Sequence, residues 1–149
     1  MTSGSLVLRR ARFADLTGAE VYALCRLRID VFVVEQECPY PELDGRDTEP
    51  GTEHLWFEAD GVPVATLRVL DDGAARAIGR VATAAGWRGS GLAARLVEEA
   101  LASYGDGPLH LGAQAPLEGW YERFGFRRSG PGYVEDGIPH VPMARQPGR

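Results

Sequence analysis

The residues best suited to chemistry lie between positions 78 and 93. A β-type run ending at Thr83 is followed by Arg88-Gly89-Ser90-Gly91-Leu92-Ala93, which opens a helical pattern. Glycines at 89 and 91 carry no Cβ, so their backbone N–H groups can come close to a ligand. The helix start adds unpaired N–H donors and the positive end of its dipole. Together they form an anion site suited to phosphate, and Arg88 at its mouth adds a full positive charge. The same residues spell G-x-G-x-x-A, a dinucleotide-binding pattern. That pattern opens the first βαβ unit and needs an acid at the end of the next strand, about 20 residues on. Here three antiparallel strands precede it and the next strand ends in Ala113-Gln114. A P-loop is excluded because no lysine follows the glycines. A glycine-rich turn with no ligand is the bland alternative.

Other reactive side chains are sparse. Cys25 and Cys38 form no C-x-x-C pair, so neither a disulfide framework nor a zinc site is expected. Cys25 lies in an apolar helical pattern and reads as a buried structural thiol. His54, His110 and His140 have no ligand-like spacing, and no metal is expected.

The elements that position these groups can be read from periodicity. Residues 6–10 suggest a first strand. Leu16, Ala19, Ala23 and Leu27 recur at helical steps over 16–29, and the apolar content continues through Val31-Phe32-Val33-Val34. Residues 38–51 hold three prolines, two glycines and four acids, and must be loop. Residues 54–59, 62–70 and 75–83 read as strands joined at Asp60-Gly61 and Asp71-Asp72-Gly73, an antiparallel meander. Leu92, Leu96, Val97, Ala100 and Leu101 form one helical face. A strand at 109–113 must run parallel to the one before that helix, so the sheet is mixed. Pro116 opens a short helix carrying Leu117, Trp120, Tyr121 and Phe124, and the Gly- and Pro-rich remainder has room for short strands near 126–127 and 141–143.

The 149 residues suit a single domain spanning 1–149, with 44% hydrophobic and 25% charged residues. A net charge of −5 argues against nucleic-acid binding. All sixteen basic residues are arginine. No apolar run approaches the roughly 18 residues of a membrane span. The first residues show no signal-peptide pattern, so cytoplasmic residence is the default.

The strand, the Arg88–Ala93 loop and the helix behind it resemble the hallmark of the GCN5-related N-acetyltransferases (GNAT), Arg/Gln-x-x-Gly-x-Gly/Ala, with Arg88, Gly91 and Ala93 on its named positions. Residues 119–126, GWYERFGF, look like that family's Tyr-x-x-x-Gly-Phe segment. Residues 26–47 and the stretch Leu111-Gly112-Ala113-Gln114 are similar to the ElaA-like branch, so the likeness spans about 21–143. One departure is Ala82-Thr83-Ala84-Ala85, where relatives often carry valines and a proline. The resemblance implies an α/β GNAT fold with a mixed sheet of six to seven strands, a splayed parallel pair and about four flanking helices.

It further implies an N-acetyltransferase that uses acetyl-CoA as cosubstrate, needs no metal, and acetylates an amine by direct attack in a ternary complex. Backbone groups of Val81, Ala82 and Thr83 would hold the pantetheine arm, and Arg88, Gly89, Ser90, Gly91, Leu92 and Ala93 the pyrophosphate. A backbone N–H near Thr83 would stabilise the developing oxyanion. Tyr121 matches the family's general acid; its bland alternative is a tyrosine packed beside Trp120. Glu35, acting directly or through water, and His54, whose residue type titrates near neutrality, are candidate bases. The acidic residues Glu42, Asp44, Asp47 and Glu49 either attract a cationic amine or form a solvated loop. The acceptor, a small-molecule amine or a protein N-terminus, stays open, and nothing in the sequence marks a dimer face or a membrane surface. Two rival functions are an acyl-homoserine-lactone-synthase-like acyltransferase, separable by acyl-chain length, and a non-catalytic acyl-CoA-binding module.

Overall fold

The computed structural model describes residues 5–147. The signal-peptide expectation concerns residues 1–5, of which 1–4 lie outside the described residues. Strands β1 (Leu6–Arg12), β2 (Glu53–Ala59), β3 (Val62–Asp71) and β4 (Arg76–Thr83) form the antiparallel half of the sheet. Asp60 and Gly61 between β2 and β3 have φ of 51° and 81°, the two positive values of a tight hairpin turn. Alternation sends Leu55, Phe57, Leu67 and Val69 to one face and His54, Thr66 and Arg68 to the other; all seven are buried.

Helix α1 (Gly18–Ile29) starts at a capping box, with Thr17 Oγ1 accepting from the Glu20 N–H at 3.1 Å and Glu20 accepting from the Thr17 N–H at 2.9 Å. It runs on without a break into a π-helical turn, Asp30–Glu35. The Val-Phe-Val-Val run is therefore helical, in the wider winding that often marks functional sites. Leu27 of α1, Val31 of that turn and Ala82 of β4 form a small core on one face of the sheet.

Helix α2 (Leu92–Tyr104) covers the other face, where Leu92, Leu96, Val97 and Ala100 join the main core. Each fully buried Leu or Val contributes about 1.5–3 kcal/mol. Strand β5 (Leu109–Gln114) follows, then the one-turn helix α3 (Glu118–Glu122), short strands β6 (Arg127–Arg128) and β7 (Tyr133–Glu135), and β8 (Ile138–Arg145). The sheet order is β1-β2-β3-β4-β5-β8-β6, with β7 also pairing β8. Among the described residues only β4 and β5 run parallel.

Two expected counts differ. The described residues hold eight strands, because Asp136-Gly137 (φ 52° and 78°) closes a hairpin that makes β7. They hold three α-helices against the about four expected, and Asp30–Glu35 continues α1 as a π-helical turn.

Candidate active site

A single extra residue in β4 shapes the site. β3 and β4 pair as Thr66↔Ala82 and then Arg68↔Gly79, so three steps on β4 oppose two on β3. Arg80 takes φ of 52°, uncommon for a residue with a Cβ. This β-bulge bends the strand and reverses its alternation. Ile78 packs into the main core under α2, whereas Ala82, four residues on, packs against Leu27 and Val31 on the opposite face. β4 parts from its parallel neighbour just before the bend. The β4–β5 register is confined to Arg76↔Leu109 and Ala77↔His110, although β4 continues to Thr83 and β5 to Gln114.

The resulting gap opens into a cavity of about 980 Å³. Val81, Ala82, Thr83, Arg88, Gly89 and Ala93 line one side of it, and Leu111, Gly112, Gln114, Trp120 and Tyr121 the other. Gly89 and Gly91 have φ of 78° and 81°, and nothing lies within 4 Å of where a Cβ would stand at either. Gly91 caps α2 without any side-chain hydrogen bond, so the first-turn N–H groups keep their capacity for an anion. Ser90, Gly91 and Leu92 are not among the lining residues. The Ser90 hydroxyl donates back to the Trp87 carbonyl, and Leu92, 3% exposed, anchors α2 in the core.

Arg88 does not project freely from the loop. Its Nε donates to the Thr83 carbonyl at 3.2 Å and its Nη2 to Glu35 Oε1 at 2.8 Å, clamping the end of β4 to the π-helical turn. Glu35 lines the cavity but is engaged by that arginine. Tyr121 enters from the α2 face, packed edge-on to Trp120 and Phe126 with ring centroids 4.9 and 6.2 Å away. Burial pushes its phenol up to about 12, so the group keeps its proton at neutral pH.

His54 lies elsewhere. It is 4% exposed on the α1 face and is not among the cavity-lining residues; its Nε2 donates to the Asp47 carbonyl at 3.2 Å, and burial lowers its pKa. The acidic loop is neither free nor merely solvated. Glu42 accepts from Arg28 at 2.7 Å, from Arg80 at 2.9 Å and from the Tyr40 hydroxyl. Asp44 binds Arg68 at 2.5 Å and Asp47 binds Arg28 at 2.7 Å, while Glu49 pairs with Arg46. Arg28, Glu42 and Arg68 are each under 5% exposed, so this network fastens the loop to the α1 face beneath the cavity.

Several lining residues carry no local sequence signal. Gln114 Nε2 donates to Gln36 Oε1 across the gap at 3.2 Å. His110 Nε2 lies 3.1 Å from Asp72 Oδ2. Tyr133 and His140, from the hairpin closed by Asp136-Gly137, stack with centroids 5.5 Å apart and planes at 17°. The buried Cys38 thiol donates to the Asp136 carbonyl at 3.4 Å, tying that hairpin to the loop after the π-helical turn. Cys25 is also a free thiol. Among the described residues no group of three His, Cys, Asp or Glu converges as a metal site, and no helix is long and apolar enough to cross a membrane.

A bent β4, a parted parallel pair and a glycine turn at the start of α2 occur together with a match of residues 18–147 to the acetyltransferase (GNAT) domain. This chain belongs to the GNAT family. It is 48% identical over 143 residues to a UPF0039 protein of Mycobacterium tuberculosis, covering 93% of this chain and 92% of the relative. It is 39% identical over 140 residues to Escherichia coli ElaA, covering 89% and 92%. The crystal structure of ElaA superposes with a TM-score of 0.88 over 95% of this chain and all of that one, at 36% identity. An acyl-CoA N-acyltransferase from Pseudomonas aeruginosa superposes with a TM-score of 0.90 at 44% identity, over 95% of this chain and 99% of that one. The GNAT membership places this chain among acyltransferases that draw on acyl-CoA.

Proposed function

We propose that this chain transfers the acetyl group of acetyl-CoA to an amine, on a small molecule or a protein N-terminus, by direct attack with both substrates bound. The observation that carries this reading is the parting of β4 from β5 after Ala77↔His110, beside the open glycine turn of α2. On this reading the exposed edge of β4 at Val81 and Thr83 hydrogen-bonds an extended pantetheine arm as an added strand. The N–H groups around Gly89 and the first turn of α2 hold the pyrophosphate. A backbone N–H near Thr83 stabilises the developing oxyanion, and Tyr121 gives its proton to the departing thiolate. Cytoplasmic residence belongs to the same reading.

Calorimetric titration with acetyl-CoA, CoA and NAD, followed by a turnover assay on a panel of amines, tests it. Saturable binding of both CoA species with none of NAD, and acetylation of at least one amine, is expected. Folded protein that binds neither CoA species would sink the assignment. Binding without turnover of any amine would favour a non-catalytic acyl-CoA module, and a preference for long acyl chains would favour an acyltransferase of the homoserine-lactone-synthase kind.

A further inference from the structure

We infer that His140 is the base that removes the proton from the attacking amine. The inference rests on the transfer reading above. In the β5–β8 ladder Gln114 lies opposite His140, so their side chains share one face of the sheet. That face is the one on which Gln114 meets Gln36, the residue that caps the π-helical turn. The neighbouring pair Ala113↔Val141 points the other way, into the core that holds Tyr121. Acid and base thus approach the gap from opposite faces, as an amine entering and a thiolate leaving require.

The orientation of the imidazole is defined. Its Nδ1 stands 2.7 Å from the Ile138 carbonyl oxygen. A carbonyl only accepts, so in the neutral ring the hydrogen sits on Nδ1 and the lone pair on Nε2. The ring plane is held by its stack on Tyr133. Among the described residues no protein group hydrogen-bonds Nε2, and this atom is not among the buried polar atoms that lack a partner. His140 lines the cavity, so its free nitrogen is open to a bound amine or to one intervening water.

The other candidates are committed elsewhere. Glu35 holds Arg88, and His54 lies outside the cavity lining. His110 is bound through Nε2 to Asp72 and pairs with Ala77 where the strands are still closed. Four steps along β5 separate it from Gln114, about 13 Å. In the proposed step an alkylammonium gives one proton to His140 Nε2; the amine so freed forms a bond to the thioester carbonyl carbon, and the second proton that the nitrogen sheds passes to solvent. The C–S bond breaks with its electron pair on sulfur, which takes the Tyr121 proton. The products are an amide and the free thiol, and both side chains regain their starting protonation from solvent.

Two measurements test the assignment. NMR of the imidazole nitrogens in ¹⁵N-labelled protein saturated with CoA is expected to show a protonated Nδ1 and a bare Nε2 at His140. A neutral ring protonated on Nε2 overturns the proposal whatever the acceptor. In turnover assays His140→Gln is expected to bind acetyl-CoA as tightly as wild type yet to slow acetylation of an alkylamine about 100-fold, a typical general-base contribution. The same variant should leave transfer to hydroxylamine, which is unprotonated near neutrality, close to the wild-type rate. Equal slowing of both acceptors, or no slowing of either, overturns the proposal. Failure of wild-type protein to bind acetyl-CoA would refute the transfer reading itself, a result separate from the tautomer.

Discussion

Replacing Arg28 by methionine removes the cation at the centre of the network that fastens the acidic loop. The side chain is 2% exposed and donates to Glu42 at 2.7 Å and to Asp47 at 2.7 and 3.1 Å. Removing one partner of a buried ion pair leaves uncompensated charge and costs about 3–5 kcal/mol. Here Glu42 keeps Arg80 and Tyr40, and Asp47 keeps Arg68. The expected loss therefore sits at the lower end, about 3 kcal/mol. For a chain of this size that corresponds to a fall in Tm of about 6–12 °C. Urea unfolding should show a lower midpoint with an unchanged m-value, the mark of altered stability without an altered unfolded state. Arg9→Met is the internal comparison, because Arg9 is 45% exposed and pairs with Glu20 at the surface, where about 0–1 kcal/mol is at stake. An Arg28→Met change no larger than that of Arg9→Met would refute the claim that the network is a buried fastening.

The pH dependence of stability follows from the same cluster. Arg68 holds the Asp44 carboxyl well below the usual carboxylate range; at Asp47 burial pushes upward, but the hydrogen bond and charge of Arg28, with Arg68, outweigh it. Burial lowers His54. All three bind protons more weakly when folded, so their contribution is complete above the unfolded pKa values and is lost as pH falls through the folded ones. The urea midpoint should be level above about pH 6.5, sag below it and drop more steeply under about pH 4; a midpoint that rises on acidification would contradict this. Tyr121→Phe should leave acetyl-CoA affinity unchanged while kcat falls about 100-fold, measured by thiol release. Gly91→Val places a β-branched residue at φ of 81°. It should lower stability by at least about 1–2 kcal/mol and weaken CoA binding by calorimetry, whereas unchanged binding would remove this turn from the phosphate site.

What could be read in the chain was local. The Gly89–Gly91 turn, the face of α2 and the Asp60-Gly61 hairpin each follow from residues within a few positions of one another. The same Asp-Gly turn chemistry stands at 136–137, yet the glycines and prolines around it masked the strands it joins. The bulge had no such signal. Arg80 looks like any charged residue in a strand, and its left-handed backbone goes with contacts to Glu42 and Asp44, more than 35 positions away. The acidic loop resembled a solvated surface because its partners sit in a helix and two strands distant in sequence. His54 was attractive by residue type alone, and its burial depends on how β2 packs. His140 lacked any local motif, since its role in the proposal depends on which cross-strand neighbour it meets.

The two residue pairs that join β4 to β5 have a mechanical meaning. The sheet is two rafts, one of β1 to β4 and one of β5 to β8, joined along their shared margin by a hinge two pairs long. A pad of apolar side chains drawn from both rafts lies beneath the joint and can slide without breaking a directional bond. Breathing of the rafts would strain Arg76↔Leu109 and Ala77↔His110 together with the polar ties that cross the gap, Gln114 to Gln36, Cys38 to Asp136 and His110 to Asp72. The amides of that hinge are where hydrogen exchange would register how widely the seam swings to admit and release its cargo.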